Sequence, residues 1–336
     1  MSILEKILGG YRYSDEEQLV REAVALPRED LYEVCHQITE KLCGRGFDTC
    51  SIINTKSGLC SEDCKWCAQS RHFNTSCDTY PALESSKVLP LAKHNSELGI
   101  KRFSLVASGK RPSRKELEQY CHTLEVLREQ IPTLQLCASL GLAGKEAMQQ
   151  LAAVGCTTYH CNMESAPSFF PTLCSTHTQQ EKEETLAAAR AVGMRCCSGG
   201  IIGMGETRLQ RAEMALYLQR LGIESIPLNI LHPISGTPLG NRTPMDADEV
   251  LLSISIFRLA NPTAFIRFSG GRALLSEEVQ RKALYIGVNA AITGGLLTTT
   301  ASVTEKDMSL FTEVGYDVSG ITDWDTDRKG VKRSTL

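Results

Sequence analysis

Short apolar runs typical of β-strands alternate along most of the chain with longer segments of helical periodicity. The strand-like runs lie at 50–55, 102–107, 134–140, 157–163, 194–199, 225–230, 263–269 and 285–293. Helical patterns lie between them at 144–154, 179–192, 208–221, 247–260 and 276–284, and another is expected to begin at Ser113, which can form a capping box with Glu116. Eight strands alternating with helices predict an α/β protein with a (β/α)8 barrel of the TIM type.

The barrel is expected to span residues 49–318 as one domain. Residues 1–48 are expected to form a helical N-terminal extension. Residues 319–336 are rich in Asp, Thr, Lys and Arg and contain few apolar side chains. They are therefore expected to form a flexible C-terminal tail.

The strands predict a polar barrel interior. In each strand the apolar residues mark the face that contacts the helices, so the residues between them point into the barrel. Cys161 and Cys196 are expected to point outward. The inward-facing set is Ser104, Gln135, Cys137, Ser139, His160, Asn162, Glu164, Cys197, Asn229 and Arg267. Because a buried arginine is costly without a partner, this interior is expected to hold a ligand.

Composition narrows the class of ligand. Lys and Arg number 36 against 39 Asp and Glu, so charge gives no case for nucleic acid or an anionic membrane as a partner. No run approaches the roughly 18 apolar residues of a membrane span. We therefore expect a cytoplasmic enzyme that acts on a small molecule. With no signal peptide apparent, the 14 cysteines are expected to be reduced, and some to bind metal.

Three cysteines stand close together at 59–71, GLCSEDCKWCAQS. Cys60, Cys64 and Cys67 follow the first strand and so belong to the mouth of the barrel. Structural zinc needs a fourth ligand, which nothing nearby supplies, and a C-x-x-C redox pair leaves Cys60 without a role. Three thiolates fit three irons of a [4Fe-4S] cluster whose fourth iron stays open. A chance cluster in a cysteine-rich chain is the simplest alternative.

The other cysteines and histidines are given no metal-binding role by their spacing. The seven histidines show no metal-ligand pattern. The cysteines assigned to packing or to the surface are Cys35, Cys43, Cys50, Cys121, Cys156 and Cys174.

The motif C-x3-C-x2-C with Trp66 before its last cysteine resembles the radical S-adenosylmethionine (SAM) superfamily. The resemblance implies that the three cysteines ligate a [4Fe-4S] cluster and that its open iron binds SAM. It also implies reductive cleavage of SAM to a 5′-deoxyadenosyl radical, with Trp66 packed near the adenine.

Within that superfamily the chain resembles the biotin synthase family over residues 45–316. The matching stretches are SEDCKWCAQS, YHCNMESAPSFF, CSGGIIGMGET, GTPLGNRTPMDADE, IRFSGGR and GVNAAITGGLLTTT. The resemblance implies a sulfurtransferase that converts dethiobiotin to biotin: the radical abstracts hydrogen and an auxiliary iron-sulfur cluster, [2Fe-2S] in the family, donates sulfur.

The resemblance also implies ligands for the auxiliary cluster. Cys137, Cys197 and Arg267 match three of the family's four ligands, and Ser104 stands where the family has a third cysteine. Either the serine oxygen binds iron, another thiol replaces it, or the cluster differs in kind. We expect an auxiliary cluster with an altered ligand set.

Substrate and SAM contacts follow from the same resemblance. Asn162 and Asn229 carry over as ligands of dethiobiotin, and Glu164 stands where the family has Asp. The segment Gly203-x-Gly205-Glu206 is expected to let the backbone approach SAM. Arg102 is either a residue of the barrel rim or a ligand near the SAM carboxylate.

The family resemblance further implies a homodimer and a reducing electron donor such as flavodoxin or ferredoxin. Two other functions stay open at this point. One is a related radical SAM lyase or mutase without a sacrificial cluster, which Ser104 favours. The other is a non-enzymatic iron-sulfur or zinc protein.

Overall fold

Nine parallel strands close into a barrel in the computed structural model, which describes residues 1–295 and 303–320. The strands are β1 (Asp48–Lys56), β2 (Arg102–Ala107), β3 (Gln135–Ser139), β4 (Cys156–His160), β5 (Arg195–Cys197), β6 (Gly200–Ile202), β7 (Ser225–Ile230), β8 (Phe265–Phe268) and β9 (Val288–Ile292). Their order around the barrel is β5-β4-β3-β2-β1-β9-β8-β7-β6, and β5 also pairs with β7. Since β5 and β6 share one position beside β7, the barrel has eight strand positions, which confirms the predicted fold.

Helices surround the barrel and precede it. They are α1 (Ile3–Leu8), α2 (Glu16–Ala25), α3 (Arg28–Cys43), α4 (Ser85–Glu97), α5 (Arg114–Gln130), α6 (Lys145–Ala153), α7 (Gln179–Ala191), α8 (Arg208–Arg220), α9 (Ala247–Ala260), α10 (Glu277–Ile286) and α11 (Thr304–Glu313). The capping box between Ser113 and Glu116 forms as predicted at the start of α5. None of the helices in the described residues has both the length and the apolar character needed to cross a bilayer.

Helices α1 to α3 come before the first strand and pack on the outside of the barrel. Helix α3 contacts α9 and α10, and α2 contacts α8 and α9. Leu31 and Ile38 of α3 are fully buried. The first barrel strand begins at Asp48, two residues before the predicted run.

Three predicted strands differ most clearly from the observed ones. The predicted strand 194–199 is shorter, because β5 ends at Cys197, and the separate strand β6 begins only at Gly200. Between them, a side chain on Gly199 would collide with the backbone of Pro227. The predicted strand 157–163 ends at His160. The predicted strand 285–293 begins only at Val288, because α10 continues to Ile286.

The structure also contains elements that the sequence patterns do not reveal. Helix α4 has Pro90 in its interior, where proline normally disfavours a helix. Helix α11 follows the last strand. The predicted tail beyond residue 320 and residues 296–300 of GVNAAITGGLLTTT lie outside the described residues.

Candidate active site

One cavity of about 390 Å³ fills the barrel interior. It extends from the loop after β1, at the carboxyl ends of the strands, down to the first residues of β2. Most of the predicted site residues line it, which supports the predicted polar, ligand-binding interior. They are Cys60, Cys64, Trp66, Cys67, Arg102, Ser104, Cys137, Asn162, Glu164, Cys197, Asn229 and Arg267.

The cluster loop, residues 57–71, holds three cysteines against this cavity. The Cys60 N–H donates to Gln69 O (2.9 Å), the Arg71 N–H donates to Cys60 O (2.9 Å), and the Cys67 N–H donates to Cys64 O (3.0 Å). These bonds fold the loop back on itself. Three thiols that face one space from a single loop form a donor set that suits an iron-sulfur cluster.

The cluster loop is fastened to the loop between β4 and α7. The Asp63 carboxylate accepts hydrogen bonds from the Ser175 N–H (2.9 Å) and the Thr176 hydroxyl (3.1 Å). Burial alone would raise the pKa of Asp63, but the hydrogen bonds from Ser175 and its neighbours outweigh it and lower the pKa below the usual range. The carboxylate is therefore ionised whenever the protein is folded near neutral pH.

A fourth thiol and an imidazole lie beside the cluster loop. Cys174 Sγ is 3.7 Å from Cys64 Sγ and 3.3 Å from His177 Nδ1, and His177 Nδ1 is 2.7 Å from Glu62 Oε2. Ligand atoms of Cys64, Cys174 and His177 all lie within 4.8 Å of one another. The folded chain therefore places a further thiol and an imidazole beside Cys64. The spacing of cysteines and histidines along the sequence, which left Cys174 to packing or the surface, did not indicate this arrangement.

Local spacing could not reveal this arrangement because the residues are far apart along the chain. Cys174 and Cys64 are 110 positions apart, and only the closed barrel brings their loops together. The spacing C-x2-H after the fourth strand was the available signal, because all loops that follow parallel strands meet at the same end of a barrel.

The floor of the cavity carries the residues expected to bind an auxiliary cluster. Cys137, Cys197 and Arg267 are buried and line it. Ser104 Oγ is buried and has no hydrogen-bond partner among the described residues, so this polar atom is left for a ligand to satisfy. The thiols, the guanidinium and this orphaned hydroxyl fit a bound polar group such as an iron-sulfur cluster.

Cys50 also faces this cavity, so its assignment to packing or to the surface is wrong. The strand pattern could not resolve its direction, because β1 carries apolar residues on both faces, Ile52 on one and Ile53 on the other. Cys161 lines the cavity as well, contrary to the expectation that it points outward, since β4 ends before it. Cys196 does point outward and lies 3.5 Å from Leu186 O of α7.

Two arginines share one buried carboxylate at the floor. Arg102 Nε donates to Asp48 Oδ1 (2.8 Å), and the Arg267 guanidinium is hydrogen-bonded to Asp48 Oδ2 and to Asp48 O (3.0 Å). Burial would lower the pKa of Arg267, but Asp48 raises it. Asp48 was expected to belong to the N-terminal extension, so no role in the site was predicted for it.

Arg102 is only 2% exposed, so the expectation of a rim residue is wrong. It pairs with Cys50, six residues and about 20 Å of strand before β1 ends at Lys56. Its contacts with Asp48 and Gln135 place it at the floor beside Arg267, away from the loop that would hold SAM.

Polar side chains form the middle of the cavity. Asn162 Oδ1 accepts from the Gly199 N–H (2.9 Å), and Asn229 bonds to the Gly270 N–H (2.9 Å) and to Gly200 O (3.1 Å). The Asn162 side chain also hydrogen-bonds to the Glu164 carboxyl group. Glu164 lies beside them with a positive φ of 68°, and burial raises its pKa.

Lys182, for which the sequence predicted no role, is buried in the same wall. Burial lowers the pKa of this ammonium, but nearby Cys161 and Glu164 outweigh it, so the net shift is upward. Its ammonium lies between the cluster loop and the middle of the cavity. A lysine within a helical pattern gave no sequence signal, because most such residues face solvent.

The glycine segment after β6 lies behind the cavity wall. Glu206 accepts a hydrogen bond from the Gly203 N–H (2.7 Å) and faces Arg211. Gly203, Gly205 and Glu206 are not among the described residues that line the cavity. Ile201 does line it, and Ile201 and Trp66 pack against the same apolar cluster. Strand β6, through Ile201, thus faces the cavity in place of the glycine segment that was expected to approach SAM.

Comparison with known proteins agrees with this geometry. The Radical SAM superfamily profile matches residues 55–218, and the profile of the Biotin and Thiamin Synthesis associated domain matches residues 227–317. The fold resembles methylornithine synthase (PylB), with a TM-score of 0.82, 16% identity and 97% and 100% of the two chains covered. It also resembles the hydrogenase maturase HydG from Carboxydothermus hydrogenoformans, with a TM-score of 0.77, 15% identity and 94% and 77% coverage. The barrel and its three-cysteine loop thus define a radical SAM enzyme.

Sequence relatives give the narrower assignment. The chain is 53% identical over 324 residues to a biotin synthase from Porphyromonas gingivalis, covering 96% of this chain and 98% of the relative. It is 53% identical over 310 residues to a biotin synthase from Parabacteroides distasonis, with 92% and 94% covered. The chain belongs to the biotin synthase family.

Proposed function

We propose that this chain converts dethiobiotin to biotin by radical sulfur insertion. The observation that carries the proposal is a single cavity with three cysteines at its mouth and two cysteines with an arginine at its floor. When bound, a [4Fe-4S] cluster with SAM supplies a 5′-deoxyadenosyl radical that takes hydrogen from unactivated carbon, and an auxiliary cluster supplies sulfur. The chain's part is to align these groups and exclude water.

At the mouth, Cys60, Cys64 and Cys67 would hold the [4Fe-4S] cluster. Trp66 and Ile201 offer apolar surface suited to the adenine ring of SAM. The buried ammonium of Lys182 is positioned to bind the SAM carboxylate by a charge-assisted hydrogen bond. We assign this role to Lys182 rather than to Arg102, which lies at the floor.

In the middle, the chain would bind the ureido ring of dethiobiotin. This ring presents one carbonyl acceptor and two N–H donors. The Asn162 and Asn229 amides can serve both kinds of group, and Glu164 can accept from an N–H when ionised. The flanking backbone bonds to Gly199 and Gly200 fix both amides, so substrate binding orders few side chains.

At the floor, Cys137, Cys197 and Arg267 would hold the auxiliary cluster. Asp48 and Arg102 keep the Arg267 guanidinium in place from below. The test is to count iron and acid-labile sulfide in anaerobically reconstituted protein. Amounts above one cubane per chain are expected, and no more than one cubane would contradict an auxiliary cluster.

The activity is tested by incubating this protein anaerobically with SAM, a reductant and dethiobiotin. Both 5′-deoxyadenosine and biotin are expected. Deoxyadenosine without biotin would favour a radical SAM lyase or mutase instead, the alternative to which Ser104 points.

We also propose a homodimer, a flavodoxin or ferredoxin as the electron donor and a cytoplasmic location, because the family resemblance implies the first two and reduced thiols suit the third. Light scattering of the holoprotein tests the dimer. Replacing a chemical reductant by purified flavodoxin or ferredoxin tests the donor. If no biotin forms with either protein, the proposed electron donor is contradicted.

A further inference from the structure

The cavity floor contains a third thiol that the family pattern does not assign. Cys50, Cys137 and Cys197 are all buried and all line the cavity. By contrast, Cys35, Cys156 and Cys196 belong to the main apolar core. Cys50 therefore has the surroundings of a ligand rather than those of a packing residue.

The register of the barrel places Cys50 in one layer with Cys137, Cys197 and Arg267. In a TIM-type barrel, alternate strands contribute the four side chains of a layer, and a shear of eight moves the layer by about one residue for each strand crossed. We follow the paired residues across two neighbouring strands at a time. This leads from Cys50 to Gln135, from Cys137 to Arg195, from Cys197 to Phe265 and from Arg267 to Asp48. Each residue reached in this way lies two positions before the next member of the layer, which is the offset expected for two strands. The last step leads back to Cys50, so the four residues form one closed layer.

Ser104 falls outside this layer. It lies on β2, one strand position away from β1 and β3, and pairs with Ile52 and Cys137. It therefore belongs to the adjoining layer, nearer the mouth. Its hydroxyl is a hard, neutral donor, whereas iron-sulfur clusters are held mainly by soft thiolates.

Arg267 contacts both of the strands beside which Cys50 lies, β1 and β9. Its guanidinium donates to Asp48 O of β1 (3.0 Å) and to Ala291 O of β9 (3.1 Å). Cys50 is two residues beyond Asp48 and pairs with Ile292 of β9. The thiol of Cys50 and the guanidinium of Arg267 thus lie against the same segment of β1.

We propose that Cys50 supplies the third thiolate of the auxiliary cluster, so that the ligand set is Cys50, Cys137, Cys197 and Arg267. This inference rests on the proposed function, which places a cluster at the cavity floor. Coordination replaces the thiol proton by iron and releases the proton to solvent, with no change in oxidation state. The serine at 104 is then accommodated because the thiol has moved from β2 to β1.

The test compares Cys50→Ala with Cys156→Ala, a buried cysteine of the apolar core, in anaerobically reconstituted full-length protein. Iron, sulfide and Mössbauer spectra are measured. Cys50→Ala is expected to lose the iron in excess of one cubane and still to release 5′-deoxyadenosine from SAM, which shows that the fold and mouth are intact. Cys156→Ala is expected to keep both clusters.

The exchange variant Cys50→Ser/Ser104→Cys is the control for loss of iron caused by misfolding. It returns the thiol to β2, as in the family pattern, and is expected to regain the auxiliary iron that Cys50→Ala loses. Full auxiliary iron with an unchanged Mössbauer spectrum in Cys50→Ala would overturn the inference alone. Wild-type protein with only one cubane would instead overturn the proposed function, so the two failures are distinguishable.

Discussion

Cys64 Sγ and Cys174 Sγ lie 3.7 Å apart, although one belongs to the cluster loop and the other to the loop between β4 and α7. This is about the spacing of two thiolates bound to one tetrahedral metal ion, given metal–sulfur bonds of about 2.3 Å. The barrel therefore presents a spare thiol beside one of its three proposed cluster ligands.

A first prediction is that Cys174 can replace Cys64 as a ligand. Cys64→Ala should retain a substantial part of its [4Fe-4S] cluster. Cys67→Ala should lose it, because none of the described residues places a spare thiol in contact with Cys67. The readout is iron content and the absorbance of the reconstituted cluster. The double variant Cys64→Ala/Cys174→Ala should fall to the level of Cys67→Ala, and equal losses in both single variants would contradict the exchange.

A second prediction concerns the charge that Asp48 provides. Asp48→Asn keeps the shape but leaves Arg102 and Arg267 buried without their counter-charge, and breaking a buried pair costs about 3–5 kcal/mol. A lower urea midpoint and a reduced iron content are expected. Glu118→Gln, which removes an exposed pair with Arg114, is the control and should change stability by less than about 1 kcal/mol. Equal effects of the two changes would be inconsistent with a buried ion pair at the floor.

A third prediction concerns SAM binding by Lys182. Lys182→Met keeps the length of the side chain and removes its charge, so the KM for SAM should rise about 10- to 100-fold, because a hydrogen bond to a charged group is worth about 1.5–3 kcal/mol. Lys182→Arg should restore most of the affinity. Lys87→Met, at an exposed position of α4, should behave as wild type. An unchanged KM in Lys182→Met would remove this residue from the SAM site.

A fourth prediction is a pH-dependent contribution from Glu116, which bonds to Lys56 (2.7 Å) at the end of β1. Partial burial would raise the pKa of Glu116, but the hydrogen bonds from Lys56 and Ser113 lower it to about 2. The unfolded chain, with a pKa near the ordinary 4.3, binds the proton more readily as the pH falls. The stabilisation is thus complete above about pH 5 and is lost toward pH 2.

Glu116→Gln should therefore unfold at a lower Tm than wild type at pH 7, and the gap should narrow as the pH is lowered to 3. Thermal unfolding followed by circular dichroism gives the measurement. A gap that stays constant with pH would show that the carboxylate charge does not contribute.

The barrel and its polar interior could be predicted from sequence because both depend on local periodicity. The alternation of apolar and polar residues along single strands correctly predicted that Cys137, Cys197 and Arg267 point inward. It failed at Cys50, where neighbouring isoleucines occupy both faces of β1. Helix α4 was missed because its interior proline contradicts the local helical signal.

The remaining site residues depend on closure of the chain. Cys174 and His177 reach the cluster loop only when the mouth of the barrel forms, and Asp48 meets Arg267 only because β9 pairs with β1. No pattern within a short window contains such information. The register between all eight strand positions is needed to recognise that Cys50 completes the layer of Arg267.

The most direct measurement traces the sulfur itself. The auxiliary cluster is reconstituted with ³⁴S-sulfide, excess sulfide is removed, and a single turnover with SAM, reductant and dethiobiotin is analysed by mass spectrometry. Biotin that carries ³⁴S is expected, together with 5′-deoxyadenosine and loss of the auxiliary cluster's absorbance. Unlabelled biotin, or deoxyadenosine without any biotin, would contradict sulfur donation from the barrel floor.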